Sequence, residues 1–238
     1  MDRSLTIIDN FFNDPDKIRN KALKLHYYHD GRNNFPHKYS EEKLQLYVKE
    51  KLSYILGIDI LRISGCHFRY ATASYLENIK SLVHTDDCPY AGIIHLTAQE
   101  TLNQFPTGTN LVRHKATGLL KKPFFRSKDP IYRELLRTEY MGMEEIQALR
   151  VIESILNESM TRITYDDWEV VSFIPAVFNR AVFYDGFQFH EGNSLTLFGD
   201  TVENARLTYN FFIGEVKNKF IPIDDYLTNL GLEEDFEV

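Results

Sequence analysis

Cysteine is scarce in this chain: Cys66 and Cys88 are the only two in 238 residues. They stand at no metal-finger spacing and do not suggest a disulfide framework, which makes the reducing cytosol the expected compartment. No apolar run is long enough to span a bilayer. The start of the chain has only a short uncharged stretch, Ser4 to Ile8, before Asp9, so neither a signal peptide nor a membrane anchor is expected there. An excess of positive charge is also missing. Lys and Arg number 27 against 34 Asp and Glu, a net charge of −7, which argues against nucleic acid or an anionic membrane as partner. Tryptophan occurs once, beside 17 Phe and 14 Tyr, a balance that favours a β-containing core. There is no internal repeat and no low-complexity segment.

The local patterns describe one domain over 1–238 with a helical insertion at about 119–166. Residues 5–8 read as a short strand. Asp14 followed by Pro15 predicts a capped helix start, with Ile18, Ala22 and Leu25 on one face. Residues 31–38 are polar and contain Pro36, which predicts a loop. Ser40-Glu41-Glu42 opens a second helix with the stripe Leu44, Val48, Leu52, closed by Gly57. Strands are expected over 61–75 and 91–96, with near-alternation from Cys66 onward, and a turn over 105–108. Asp129-Pro130 and the spacing Ile146, Leu149, Ile152, Leu156 make 119–166 mainly helical. Strand patterns return at 168–173, 180–184 and 206–214, and the acidic C-terminal end is expected to fray. Short strands on both sides of a helical block suit a mainly β fold with flanking helices, a jelly-roll sandwich.

The chemistry centres on Leu82-Val83-His84-Thr85-Asp86-Asp87. Two residues apart on an extended segment, His84 and Asp86 point the same way and can reach one metal ion, whereas Asp87 points away. A third ligand comes from Phe189-His190-Glu191-Gly192, where His190 follows an apolar strand and a turn. Two histidines and one carboxylate are the set used by non-haem iron(II) oxygenases. On the strand that begins at Arg206, Arg206 and Thr208 share a face, and a guanidinium beside a hydroxyl is a receptor for a carboxylate. His95 faces either the core or the pocket, and Arg113 and His114 read as polar strand residues.

His-Thr-Asp, a later strand–turn–His and Arg-x-Thr on the next strand together resemble the iron(II)/2-oxoglutarate dioxygenase superfamily, in particular its prolyl-4-hydroxylase-like branch. The opening Ile-Ile-Asp-Asn-Phe-Phe-Asn-Asp-Pro is similar to the first strand and helix of that branch. Gly108-Thr109-Asn110-Leu111-Val112-Arg113-His114 resembles a stretch in uncharacterised phage and bacterial members. The resemblance, carried by residues from about 70 to 214, implies a double-stranded β-helix with Fe(II) at His84, Asp86 and His190. It implies 2-oxoglutarate anchored by Arg206 and Thr208, with Tyr70 or Tyr75 on its far carboxylate, and dioxygen as co-substrate. The chain departs from the branch in its long interval between His84 and His190 and its longer one from His190 to Arg206. Arg180, an alternative anchor, precedes His190 and breaks the motif order. Related halogenases have Ala or Gly at the Asp86 position, so a carboxylate there implies hydroxylation or another oxidation of a small molecule, amino acid or peptide. The rival class is a non-catalytic metal-binding β-sandwich, whose closed site would need a fourth ligand such as Cys88, His95 or His114. Within the insertion, Lys121, Lys122, Arg126 and Lys128 are expected to border the pocket mouth while the apolar stripe packs on the sandwich.

Overall fold

A computed structural model describes residues 5–27, 37–40, 42–72, 83–86, 88–162, 164–192, 199, 201 and 203–218. Tyr75, Asp87 and the acidic C-terminal end lie outside them.

Several elements begin where the local chemistry places them. Strand β1 (Leu5–Ile8) leads to helix α1 (Pro15–Leu23), where the Asp14 carboxylate accepts from the Lys17 N–H at 3.0 Å. Helix α2 (Glu42–Leu56) stops at Gly57, whose φ of +63° is a left-handed conformation that costs a residue with a Cβ. Two elements depart from expectation. Residues 37–40, read partly as loop, form strand β2 (His37–Ser40), which pairs with residues 67–70 of strand β3 (Ile58–Ala71). Its hydrogen bonds come from a partner distant in sequence, and four residues are too few to carry a period. Strand β3 itself starts earlier than 61, because register shifts at Ile60, Arg62 and Ser64 hide its alternation until Cys66. Gly65, at φ +63°, sits in the last of these shifts.

Strand β4 (Tyr90–His95) is followed by a short helix, α3 (Gln99–Gln104), that the sequence did not announce. It has no side-chain cap and one buried residue, Leu102, so no amphipathic stripe marks it. Then come β5 (Gly108–His114), α4 (Pro130–Thr138) and α5 (Glu145–Met160). Asp129 caps α4 by accepting from the N–H groups of Ile131 and Tyr132. Strands β6 (Trp168–Pro175), β7 (Ala181–Asp185), β8 (His190–Gly192) and β9 (Arg206–Asn218) complete the order.

The strands form two antiparallel sheets, β1-β7-β4-β9-β3-β2 and β6-β5-β8. An isolated bridge between His84 and His190 adds the 83–86 segment beside β8. Ala91, Ile93, Val182 and Tyr184 of the larger sheet meet Leu111 and Ile174 of the smaller one in the layer between them. The other face of the larger sheet carries Phe68, Ile94, Phe183, Leu207, Tyr209 and Phe211 against Ile18 and Ala22 of α1 and Leu44, Val48 and Leu52 of α2. The outer face of the smaller sheet packs Val112, Trp168 and Phe189 against Tyr132 of α4 and Leu149, Ile152 and Leu156 of α5. Burying each such aliphatic side chain contributes about 1.5–3 kcal/mol. Ile146, the first residue of the expected stripe, is exposed instead at the opening turn of α5. No helix of the described residues is long and apolar enough to cross a membrane.

Candidate metal centre

Backbone pairing brings the two histidines together. The His84 N–H donates to the His190 carbonyl at 2.9 Å and the His190 N–H returns to His84 at 3.1 Å. Directly opposed on antiparallel segments, their rings project to one side with centroids 4.4 Å apart. Asp86, two residues on, keeps to the same side, held by its N–H donating to the Gly186 carbonyl at 2.8 Å. One ligand atom from each of His84, Asp86 and His190 lies within 4.8 Å of the others. His190 Nε2 is 3.2 Å from Asp86 Oδ2, and His84 Nε2 is 4.0 Å from Asp86 Oδ1. His190 Nδ1 lies 2.8 Å from the Gln188 carbonyl, which can only accept. That contact places a hydrogen on Nδ1 and directs Nε2 to the Asp86 side as the atom available to a metal, the arrangement of a metal-binding imidazole. Side-chain exposure rises from 3% at His190 through 15% at Asp86 to 34% at His84, so the cluster runs from the sandwich interior to its mouth. Burial pushes the Asp86 carboxyl up, but the hydrogen bond and charge of His190, with His84 and Arg69, hold it below its ordinary value. The carboxylate is therefore present at neutral pH.

The cluster opens on a cavity of about 420 Å³, its open mouth included, between the two sheets. Its lining includes the three clustered residues and also Arg69, Thr109, Tyr184, Gly192, Arg206 and Asn210. Arg206 is 8% exposed, and its Nε is buried without a hydrogen-bond partner. Burial lowers its pKa below the ordinary value against the opposing influence of Tyr184 and Glu191. A Cβ at Gly192 would stand 3.3 Å from the guanidinium, so glycine there lets Arg206 lie close against β8. The Tyr184 ring lies 4.6 Å from that of His190, and burial raises its hydroxyl well above the ordinary value, which keeps it neutral.

His84, Asp86, His190 and Arg206 thus line one cavity. Thr208 shares the Arg206 face and is buried, but it donates its hydroxyl to Asn210 Oδ1 at 2.9 Å and is not among the lining residues. Tyr70 is not brought to this cavity. It alternates to the other face of β3 and packs edge-on against Tyr27 at 4.8 Å, and its neighbour Arg69 lines the site instead. Arg69 and Asn210 were missed because only the pairing of β3 with β9 shows which residues of each strand face inward. Arg180 binds Asp9 at 2.6 and 2.9 Å, away from the lining residues. None of Lys121, Lys122, Arg126 and Lys128 lines the cavity, and Lys121 pairs with Asp185 at 3.2 Å. Arg113 pairs with Glu169, while His114 bonds Thr117 and Ser159. Cys88 donates to the Tyr90 carbonyl. Among the described residues, neither Cys88, His95 nor His114 joins the three-residue cluster.

A family model described as a family of unknown function (DUF6445) matches residues 1–213, and the chain belongs to that family. No curated protein matches it.

Proposed function

We propose that this DUF6445 chain is an iron(II)- and 2-oxoglutarate-dependent oxygenase on a double-stranded β-helix. One observation carries the reading: three side chains able to hold a metal and a buried arginine whose Nε has no hydrogen-bond partner line the same cavity between two antiparallel sheets. The donor set fits the metal, since two imidazoles and one carboxylate are the ligands that suit non-haem iron(II). A closed structural site would need a fourth protein ligand, and none is gathered among the described residues. The orphaned Arg206 fits the co-substrate, because a buried guanidinium calls for an anion and binds a carboxylate through two parallel bonds. Strand order supports the fold: β3, β4, β7 and β9 lie in one sheet, the His84 segment, β5, β6 and β8 in the other.

Iron(II), 2-oxoglutarate and dioxygen, when bound, supply oxidation of an unactivated C–H bond with release of succinate and CO2. The residues of this chain set the conditions. His84, Asp86 and His190 would hold the metal, with the Gln188 carbonyl fixing the His190 ring. Arg206 orients the co-substrate through its distal carboxylate. Tyr184, Ile93 and Phe212 supply the apolar wall of the cavity and exclude water. The most exposed ligand, His84, marks the side from which a substrate enters. Because Asp86 fills the carboxylate position, the reading favours hydroxylation over halogenation. The substrate class is an amino acid, small metabolite or peptide residue.

The test is purified protein with iron(II), ascorbate and 2-oxoglutarate, assayed for succinate. Slow uncoupled turnover is expected without the physiological substrate, and it should vanish in Asp86→Ala. Metal binding with no 2-oxoglutarate binding would overturn the oxygenase reading in favour of a metal-binding sandwich.

A further inference from the structure

We infer that His95, diagonal to Arg206 though not itself a lining residue of the cavity, is a second hydrogen-bond donor to the carboxylate held by Arg206, making with it a two-residue receptor for a distal carboxylate. This rests on the 2-oxoglutarate reading and deepens it.

His95 is 0% exposed, and neither of its ring nitrogens has a hydrogen-bond partner. Arg206 Nε is in the same condition. Buried polar atoms are nearly always paired, and leaving them unpaired is costly. Three such atoms from two neighbouring side chains therefore point to a missing common partner. Their placement supports this. His95 lies directly opposite Thr208 in the β4–β9 pairing, and Arg206 is two residues from Thr208 on the same strand. By strand alternation His95 shares the inner face of β4 with Ala91 and Ile93, which pack between the sheets. His95 and Arg206 are thus diagonal neighbours on one face, within reach of a long side chain. Among charged groups acting on His95, Arg206 is the largest.

The chemistry of the pair selects the ligand. Burial, with Arg206 and Arg180, pushes the His95 imidazole down to about 3, so the ring is neutral and offers one N–H. A neutral ring adds no charge to offset the guanidinium, so with Arg206 Nε unpaired an anionic occupant is favoured. A carboxylate has about four lone-pair sites, enough for a bidentate guanidinium and one imidazole N–H. A 2-oxo acid with no second carboxylate would leave both side chains unpaired and should be rejected.

The experiment uses the full chain loaded with Mn(II), titrated with 2-oxoglutarate and, separately, with pyruvate. In His95→Leu the Kd for 2-oxoglutarate should rise about tenfold or more, the usual effect of losing a hydrogen bond to a charged group. Mn(II) affinity and the weak binding of pyruvate should not change. His95→Gln, which keeps an N–H donor, should recover part of the loss. If His95→Leu does not fold, ring 15N shifts of His95 in the Zn(II)-loaded wild type give the second readout and should move on adding 2-oxoglutarate. Equal 2-oxoglutarate affinity in His95→Leu, or unmoved ring shifts in a wild type that does bind it, would mean that His95 only packs or holds a water, and the inference fails alone. A wild type that binds Mn(II) but not 2-oxoglutarate would overturn the oxygenase reading and this inference with it.

Discussion

Replacing Arg206 by Met should stabilise the ligand-free protein while abolishing its response to 2-oxoglutarate. Arg206 is 8% exposed, with a buried Nε that has no partner. An unsatisfied buried donor costs about 1–3 kcal/mol, and a charged one lies toward the upper end. Methionine has a similar length, fills the same space and carries no donor. For a chain of this size, 1 kcal/mol moves the melting temperature by about 2–4 °C. The apo variant should therefore melt about 3–10 °C above wild type in scanning calorimetry. Saturation with ligand should reverse the order of benefit. Mn(II)-loaded wild type at 2-oxoglutarate about a hundredfold above Kd should gain about 2.7 kcal/mol, whereas the variant gains nothing. Opposite signs for the two effects distinguish a carboxylate receptor from a structural arginine. An apo variant that melts below wild type, or one that keeps the 2-oxoglutarate shift, would refute the reasoning.

His190→Ala should raise the Mn(II) Kd by more than about a hundredfold, because even losing a group that merely orients a ligand costs about 10–100-fold; unchanged stoichiometry and affinity by calorimetry would sink the metal assignment. His95→Gln should flatten the acid limb of the stability curve. In wild type the folded His95 has a pKa near 3 against an ordinary value of 6.5. The unfolded chain then binds a proton that the folded chain refuses, so stability present above pH 6.5 falls by about 1.4 kcal/mol per unit as pH drops. Urea unfolding of both proteins between pH 4.5 and 7, a range chosen on that linkage argument, checks this, and parallel curves would refute it. Tyr165→Phe removes a 2.6 Å hydrogen bond to the fully buried Glu191, at the junction between the helical insertion and the smaller sheet. It should cost about 1–3 kcal/mol in denaturant titrations while leaving Mn(II) affinity intact, since Glu191 alternates to the face of β8 away from His190.

Signals held within a few residues were legible in the sequence alone. Asp14-Pro15 and Asp129-Pro130 open helices because their carboxylates cap the next turn, and Gly57 ends one because it takes φ +63° without the cost a Cβ would add. The spacing of His84 and Asp86 puts both on one side wherever the segment is extended, and alternation from Arg206 onward marks β9. Elements whose hydrogen bonds come from remote partners were not legible. Strand β2 exists because residues 67–70 pair with it, and the start of β3 was hidden because its shifts at Arg62 and Gly65 break the period. Tertiary structure alone decided which neighbour faces the cavity, Arg69 rather than Tyr70, since a two-residue period says that faces alternate but not which one is inside. It also decided that His84 meets His190 through a backbone bridge and that His95 lies diagonal to Arg206, because antiparallel register, set by the folded sheets, determines what stands opposite what.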